Sequence, residues 1–407
     1  MGFLSSIRPK NLSSSEELYR QIQWAFGTGV DTSSGITVNS TTALRLITVQ
    51  KCIRVRTATM ASLPCHIIEQ KGEMKDKAED FYLYEKLLNQ PNSWMTSALF
   101  WAMVEAYVCL RGNFIAYKMG LPGRPILELI PISWDRVNRV EQHEDYSITY
   151  DIQLKNGQIK TLSQDQVMHI RGLLTLDGFT GVNPIQYSRE TIGLGLASEK
   201  FLTNYFGRGL QPGAVVKHPM SLSAIGNSNL KEALKEKYEA LKTDQNFMLL
   251  DEGMDITFPT IKLVDAQYLE IMKMNEADIC GLFRVPLMLI QSGDKTPTYA
   301  SAEQFMINYS TMGVAPDCRN YEQSIRKDLL TDEEKKRYYA KFEMRGLMRG
   351  AFKDQMEGFA TAIEEEIMNP NECRRALDMN PYKGGEVYKN RKTSKAVEQS
   401  SNQGVQK

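Results

Sequence analysis

Residues 183–206 read NPIQYSRETIGLGLASEKFLTNYF, and the architecture turns on them. Asn183 can cap a helix, and Pro184 suits its first turn, where the missing N–H costs nothing. Nothing strongly helix-breaking follows until Phe206, so the spacing predicts a helix of about 35 Å at 1.5 Å per residue. Tyr187, Leu194 and Phe201 recur every seven residues, which gives one apolar face. Gly193 and Gly195 each cost about 1 kcal/mol against alanine in a helix interior. Close approach of another segment is therefore expected there, and Gly207 and Gly209 end the run.

Reading outward, a second long helix is expected over about 265–283, with Leu269, Met272, Ile279 and Phe283 on its apolar stripe and Val285-Pro286 ending it. Between the two helices lies a compact insert. Its expected elements are strands at 214–217, 247–250 and 256–258 and a charged helix at 229–242. Beyond the second helix, QSGDKTPT (291–298) reads as a polar, turn-rich loop. A third long helix, about 299–329, contains Gly313 and Pro316, and an interior proline removes a backbone bond and kinks a helix at a cost of about 3 kcal/mol.

Upstream, residues 36–175 read as one α+β domain. Leu46, Val49, Ile53 and Met60 mark a helix that stops before Pro64, and a strand follows at 65–69. Helices at 81–89 and 96–110 precede short β segments at 114–119, 126–131, 147–154 and 158–162. Asn156-Gly157, between the last two, is a two-residue hairpin signal. After the third long helix come a β segment at 338–344 and short helices at 354–368 and 371–379. Residues 1–35, rich in Ser, Thr and Gly, read as a mobile arm, and the last 25 as a disordered basic tail.

Lys+Arg and Asp+Glu both number 49, so the formal net charge is zero. A protein that grips phosphates normally carries a basic surplus, so tight nucleic-acid binding is not expected, whereas mere passage of DNA is compatible. The six cysteines (Cys52, Cys65, Cys109, Cys280, Cys318, Cys373) form no C-x-x-C pair, which points to a reducing context without zinc or disulfides. The most apolar run, Leu99 to Leu110, is interrupted by Glu105 and is too short to span a bilayer. No secretory leader is visible, and MGFLSS, with Gly2 and Ser6, fits a myristoylation pattern only formally.

Catalytic motifs are missing. There is no P-loop, no H-E-x-x-H and no G-x-S-x-G. His66, His143, His169 and His218 lack ligand-spaced partners, so a structural role is expected for His169 in VMHIRG. Glu364, Glu365 and Glu366 point in different directions on a helix and read as a solvated face, as does the TDEEKKR run at 331–337. Neither a cofactor nor a metal nor a catalytic residue is expected.

The order helix, insert, helix, polar loop, kinked helix resembles the portal fold of tailed bacteriophages, and the local sequences resemble the siphovirus-type portal family. VNSTTALRLITVQKCIRVRTATMASLPCHI (38–67) is similar to that family's first helix and strand, and YEKLLNQPNSWMTSALFWAMVEAYVCLRGNFIAYK (84–118) to its next segment. LELIPISWDRV (127–137) and VMHIRGL (167–173) resemble the β segments that follow. DGFTGVNPIQYSRETIGLGLASEKFLTNYFGRGLQPGAVV (177–216) and DAQYLEIMKMNEADICGLFRVPLMLI (265–290) resemble the two stem helices. YASAEQFMINYSTMGVAPDCRNYEQSIRKDLL (299–330) and MNPNECRRALDMNP (368–381) complete the series. At 313–318, GVAPDC stands where the family has a more apolar run, so the resemblance does not define the packing of the kink.

The resemblance implies an α+β portal fold and a non-enzymatic, dodecameric ring at one capsid vertex. It implies a wing (36–176), stem helices (182–210 and 265–285), a clip (211–264), a tunnel loop (286–299) and a crown (350–382), with 300–349 holding the kinked wing helix and a β segment and 383–407 a basic tail. The implied partners are the terminase large subunit, a head–tail adaptor, major capsid and scaffold proteins, and double-stranded DNA passing through without sequence specificity. No membrane is expected, and assembly would take place in the host bacterial cytoplasm. Gln291, Ser292, Gly293, Asp294, Lys295, Thr296 and Thr298 are the expected channel residues, with Lys295 touching phosphates and Asp294 preventing adhesion. Lys231, Glu232, Lys235 and Glu236 are the expected docking surface, and Gly313 and Pro316 the kink. The alternatives are another head–tail protein, such as an adaptor or minor capsid subunit, and a soluble enzyme with a spatially assembled site.

Overall fold

The computed structural model describes residues 30–120, 125–207, 215–217, 255–257, 266–290, 299–344, 347, 349–377 and 379–388. The chain forms two compact units, residues 1–194 with 275–407, and residues 195–274. Residues 1–29 of the expected arm, 389–407 of the expected tail, and the insert's 229–242 helix and 247–250 strand lie outside the described residues. Residues 30–35, by contrast, are ordered by strand pairing with 37–38, and 383–388 by hydrogen bonds to Asn371 and Glu386.

The first unit starts with the antiparallel pair β1 (Val30–Asp31) and β2 (Thr37–Val38). Asn39 then caps α1 (Ser40–Ala43) reciprocally with Thr42: the Asn39 side chain accepts from the Thr42 N–H, and the Thr42 hydroxyl accepts from the Asn39 N–H, both at 2.8 Å. Helix α2 (Ile47–Ala61) buries Val49, Cys52, Ile53, Arg56 and Met60. It gives way at Leu63-Pro64 to β3 (Cys65–Lys71), which pairs with β4 (Met74–Lys77). Helix α3 (Tyr84–Leu88) leads to α4 (Ser97–Arg111), whose first turn is capped by the Thr96 hydroxyl.

Gly112 ends α4 in the left-handed region, at φ 74°, where glycine pays no side-chain penalty. Space imposes a second demand: a Cβ here would lie 2.0 Å from the Val182 carbonyl oxygen. The chain turns at once into β5 (Asn113–Met119), the centre of an antiparallel sheet with β6 (Glu128–Ile132) and β10 (Val167–Arg171). Strands β7 (Val137–Gln142), β8 (Ile148–Gln153) and β9 (Ile159–Ser163) form a second antiparallel sheet. Alternate residues of β8, Ile148, Tyr150 and Ile152, join Ile115, Ile132, Trp134, Val137, Leu162 and Val167 in one buried cluster.

The β8–β9 turn differs from the two-residue hairpin expected at Asn156-Gly157. Leu154 donates to the Gln158 carbonyl at 2.8 Å, and only Gly157 has positive φ (83°), so the loop holds three residues. A two-residue type I′ turn needs both central residues at positive φ, whereas a three-residue loop places the strain on glycine alone.

The long helix expected from Pro184 is also divided. Asn183 caps α5 (Pro184–Tyr187), Ser188 leaves helical geometry at φ −101°, ψ 20°, and α6 runs Arg189–Gly207. Gly193 sits against Thr32, where a Cβ would lie 2.8 Å from the threonine side chain. The close neighbour is therefore a side chain. In the second unit, β11 (Val215–Lys217) pairs with β12 (Asp255–Thr257).

Helix α7 (Ala266–Leu282) ends at Arg284, which takes a left-handed backbone at φ 53°. After α8 (Tyr299–Asn308), residues Tyr309–Val314 wind as a π-helix before α9 (Ala315–Leu329). Pro316 thus lies in the first turn of α9, and the Ala315 N–H reaches back five residues to Ser310. A wider turn upstream takes up the bond a proline cannot make. Strand β13 (Tyr338–Phe342) returns to pair with β3, and α10 (Arg349–Glu364) and α11 (Pro370–Ala376) follow.

Candidate functional site

Four charged side chains meet where α2, α4, the π turn, α9 and the Arg284 corner converge. Arg56, Glu105 and Asp317 are each 3% exposed or less. The Arg56 guanidinium donates through Nε to Glu105 Oε1 at 2.8 Å, and through its other nitrogens to the Gly313 carbonyl and to Asp317. Arg284 donates from Nη2 to both Asp317 oxygens, at 2.8 and 2.6 Å. The Tyr321 hydroxyl donates to Glu105 Oε2 at 2.7 Å. Two cations thus balance two anions, and each buried charge is both paired and hydrogen-bonded, the condition under which burial is tolerable.

The electrostatics follow. Burial alone would push the Arg56 guanidinium down, but Glu105 and Asp317 outweigh it and hold the group above its ordinary value. Burial, reinforced by Glu105, pushes the Tyr321 hydroxyl and the Cys109 thiol well up. These shifts keep the Arg56 guanidinium charged and the Tyr321 hydroxyl and Cys109 thiol neutral near pH 7.

This ionic joint sets the path of the chain on both sides of residues 291–298. A Cβ on Gly313 would lie 3.0 Å from the Arg284 carbonyl oxygen and 2.9 Å from the Tyr309 ring. Only a glycine in the π turn lets the Arg284 corner approach so closely. The strained backbone of Arg284 is held there by its side chain on Asp317.

A second polar centre orders the sheet. Asn113 closes both hydrogen bonds on Gly181, at 2.7 Å each, and its Oδ1 also accepts from His169 Nε2 at 3.0 Å. Asn113 Oδ1, oriented by Gly181, can only accept, so the proton sits on His169 Nε2 and the Tyr150 hydroxyl, 3.0 Å away, donates to Nδ1. Burial first, then Arg171 and Lys327, keeps the imidazole pKa well below its usual value. His169 also borders a cleft of 1110 Å³ with Tyr82, Lys118, Asp165, Arg171 and Asp328. Both ring nitrogens are engaged, so His169 is no free base for that cleft.

Of the residues singled out in the sequence, Gly313 and Pro316 lie at this joint. Gln291, Ser292, Gly293, Asp294, Lys295, Thr296 and Thr298, and Lys231, Glu232, Lys235 and Glu236, lie outside the described residues. Sequence reasoning missed Arg56, Glu105, Arg284 and Asp317. Its one available signal was Glu105, a carboxylate in the most apolar stretch of the chain.

The phage portal protein family profile matches residues 47–378, and the chain belongs to that family, the portal proteins of tailed phages. It is 26% identical over 402 residues to the probable portal protein of Streptomyces phage phiC31, covering 95% of this chain and 87% of that one. It is 23% identical over 354 residues to the portal protein of Enterobacteria phage HK97, covering 86% and 82%. Two solved structures of the neck of gene transfer agent particles share the fold. One, of empty particles computed with C6 symmetry, has a TM-score of 0.58 at 17% identity, covering 92% of this chain and 96% of that one. The other, of native particles computed with C12 symmetry, has a TM-score of 0.54 at 15% identity, covering 84% and 94%.

Proposed function

We propose that this chain assembles as a dodecameric ring at one vertex of a tailed-phage capsid and forms the channel through which DNA is packaged and later released. The observation that carries the reading is the match to a neck assembly of twelvefold symmetry over 94% of that assembly's chain. In this reading the subunit carries no catalysis, and a separate terminase hydrolyses ATP. Zero net charge suits a conduit, because each phosphate neutralised on passage would strengthen binding by counterion release and slow the DNA.

Residues 291–298 are the segment assigned to the channel. Lys295 makes passing phosphate contacts, and Asp294 prevents adhesion. The insert at 211–264, through Lys231, Glu232, Lys235 and Glu236, docks the terminase and later a head–tail adaptor. The wing, stem and crown boundaries stated from the resemblance complete the assignment, with major capsid and scaffold proteins as further partners. The ionic joint supports the channel assignment, since it anchors the chain just before the segment (Arg284) and beyond it (Asp317).

Electron microscopy of the purified protein tests the ring: particles with a central hole and twelvefold averages are expected, and a monomer or dimer under all conditions refutes it. Deleting residues 292–297 tests the loop. Assembled particles are expected to lose packaging or retention of DNA, and unchanged particles would remove the channel role from this segment.

A further inference from the structure

Cys52 on α2 and Cys280 on α7 are 228 residues apart in the chain, yet their sulfurs lie 3.8 Å apart. Both are nearly inaccessible, at 0% and 3% exposure. All six cysteines are among the described residues and are free thiols, and this is the one pair whose sulfurs are in hydrogen-bonding contact. A disulfide needs a separation of about 2.0 Å, so the two sulfurs, already in contact at 3.8 Å, have less than about 2 Å to close.

We propose that Cys52 and Cys280 are a dithiol modification site, which an oxidant of the peroxide class converts to a disulfide tying α2 to the end of α7. The inference goes beyond the ring reading and does not depend on it. The two thiols are chemically unlike. Cys52 is pushed up by its hydrogen bond to Cys280 and by burial, whereas that same bond draws Cys280 down against the effect of burial. Cys280 is therefore the better nucleophile.

Access favours the same residue. Cys280, at 3% exposure against 0% for Cys52, is the less enclosed of the two, and the neighbouring Gly281 borders open space.

The step balances. The Cys280 thiolate attacks one peroxide oxygen, the O–O bond breaks, and a sulfenic acid and one water result. The Cys52 sulfur then attacks the Cys280 sulfur, the S–S bond forms, the S–O bond breaks, and a second water leaves. Two thiols lose two electrons, and one peroxide becomes two waters. In a reducing cytosol the pair stays open; outside the cell it closes.

The test uses the full-length protein as purified. It is treated with graded hydrogen peroxide, its remaining thiols are alkylated, and it is digested with trypsin without reduction. The expected product joins CIR (52–54) to MNEADICGLFR (274–284), while Cys65, Cys109, Cys318 and Cys373 stay alkylated. The thermal midpoint should rise by about 5 °C on oxidation, as expected for a crosslink closing so long a loop in a chain of this size. Dithiothreitol should reverse the rise. Cys280→Ser should lose both the joined peptide and the redox-dependent shift; because oxidised and reduced samples are compared within each variant, any loss of stability from the substitution cancels. The proposal is overturned if Cys280 is recovered as alkylated thiol or sulfinic acid with no joined peptide, or if the midpoint ignores the redox state.

Discussion

Replacing Asp317 by asparagine removes one negative charge from a cluster in which Arg56 and Glu105 have side chains 3% and 1% exposed. The wild-type carboxylate accepts from two guanidiniums at once. An asparagine keeps one acceptor oxygen but turns its NH2 group toward a guanidinium in place of the other, and it carries no charge. Breaking a buried ion pair by altering one partner costs about 3–5 kcal/mol. The lower end applies here, because Arg56 keeps Glu105 and the Gly313 carbonyl and the Arg284 side chain, 41% exposed, can be solvated. At about 2.1 cal/mol/K per residue, each kcal/mol moves the midpoint of a chain of this size by about 1 °C. Asp317→Asn should therefore lower the midpoint by about 3–4 °C in differential scanning calorimetry.

Arg284→Met should cost only about 1 kcal/mol, because a half-exposed pair is screened by water. The two changes should be non-additive, since they share one interaction. An Asp317→Asn midpoint within about 1 °C of the parent would refute this account of the joint, as would a larger loss from Arg284→Met than from Asp317→Asn.

Other expectations follow from single contacts. Gly112→Ala should sharply reduce soluble yield and cost more than about 3 kcal/mol, because the new Cβ meets the Val182 carbonyl at 2.0 Å. Gly157→Ala, with the same sign of φ but open space around it, should cost only about 1 kcal/mol by urea titration. The His169 pKa is lower folded than unfolded, so the unfolded chain binds more protons in acid and stability falls as the pH drops below about 6.5. His169→Gln should flatten that decline, read as a smaller loss of midpoint between pH 7.5 and 5.5 than in the parent; an equal loss would remove His169 as its source. Asn369→Ala should cost about 1 kcal/mol by removing the capping box that starts α11, and a midpoint change of either sign beyond about 3 °C would contradict a simple cap.

Local chemistry made much of the fold readable. Thr96 and Gly112 bracket α4, Asn183-Pro184 opens α5, and the alternation in β8 exposes the sheet face. Features set by neighbours were not readable. Strand β4, MKDK, has three charged residues in four and forms because the edge of β3 offers it partners. The break at Ser188 depends on two competing acceptors, the carbonyls of Gln186 and Pro184. The joint was hidden because its members come from positions 56, 105, 284 and 317, and only Glu105, inside an apolar run, stands out from an ordinary surface charge. The burial that makes them exceptional is a property of the folded chain.

The π turn has a consequence for how length changes in this helix would be tolerated. A π segment holds one residue more than an α-helix needs for the same advance, and here Met312 is 71% exposed on its outer side. Position along the chain and phase around the helix axis are therefore out of step between Tyr309 and Asp317. A chain lacking Met312 would keep Asp317, Tyr321 and Ile325 turned inward, though Pro316 would then kink the helix that the wide turn now accommodates. The same deletion a few residues later would rotate all that follows by about 100° and carry the carboxylate of the joint into water.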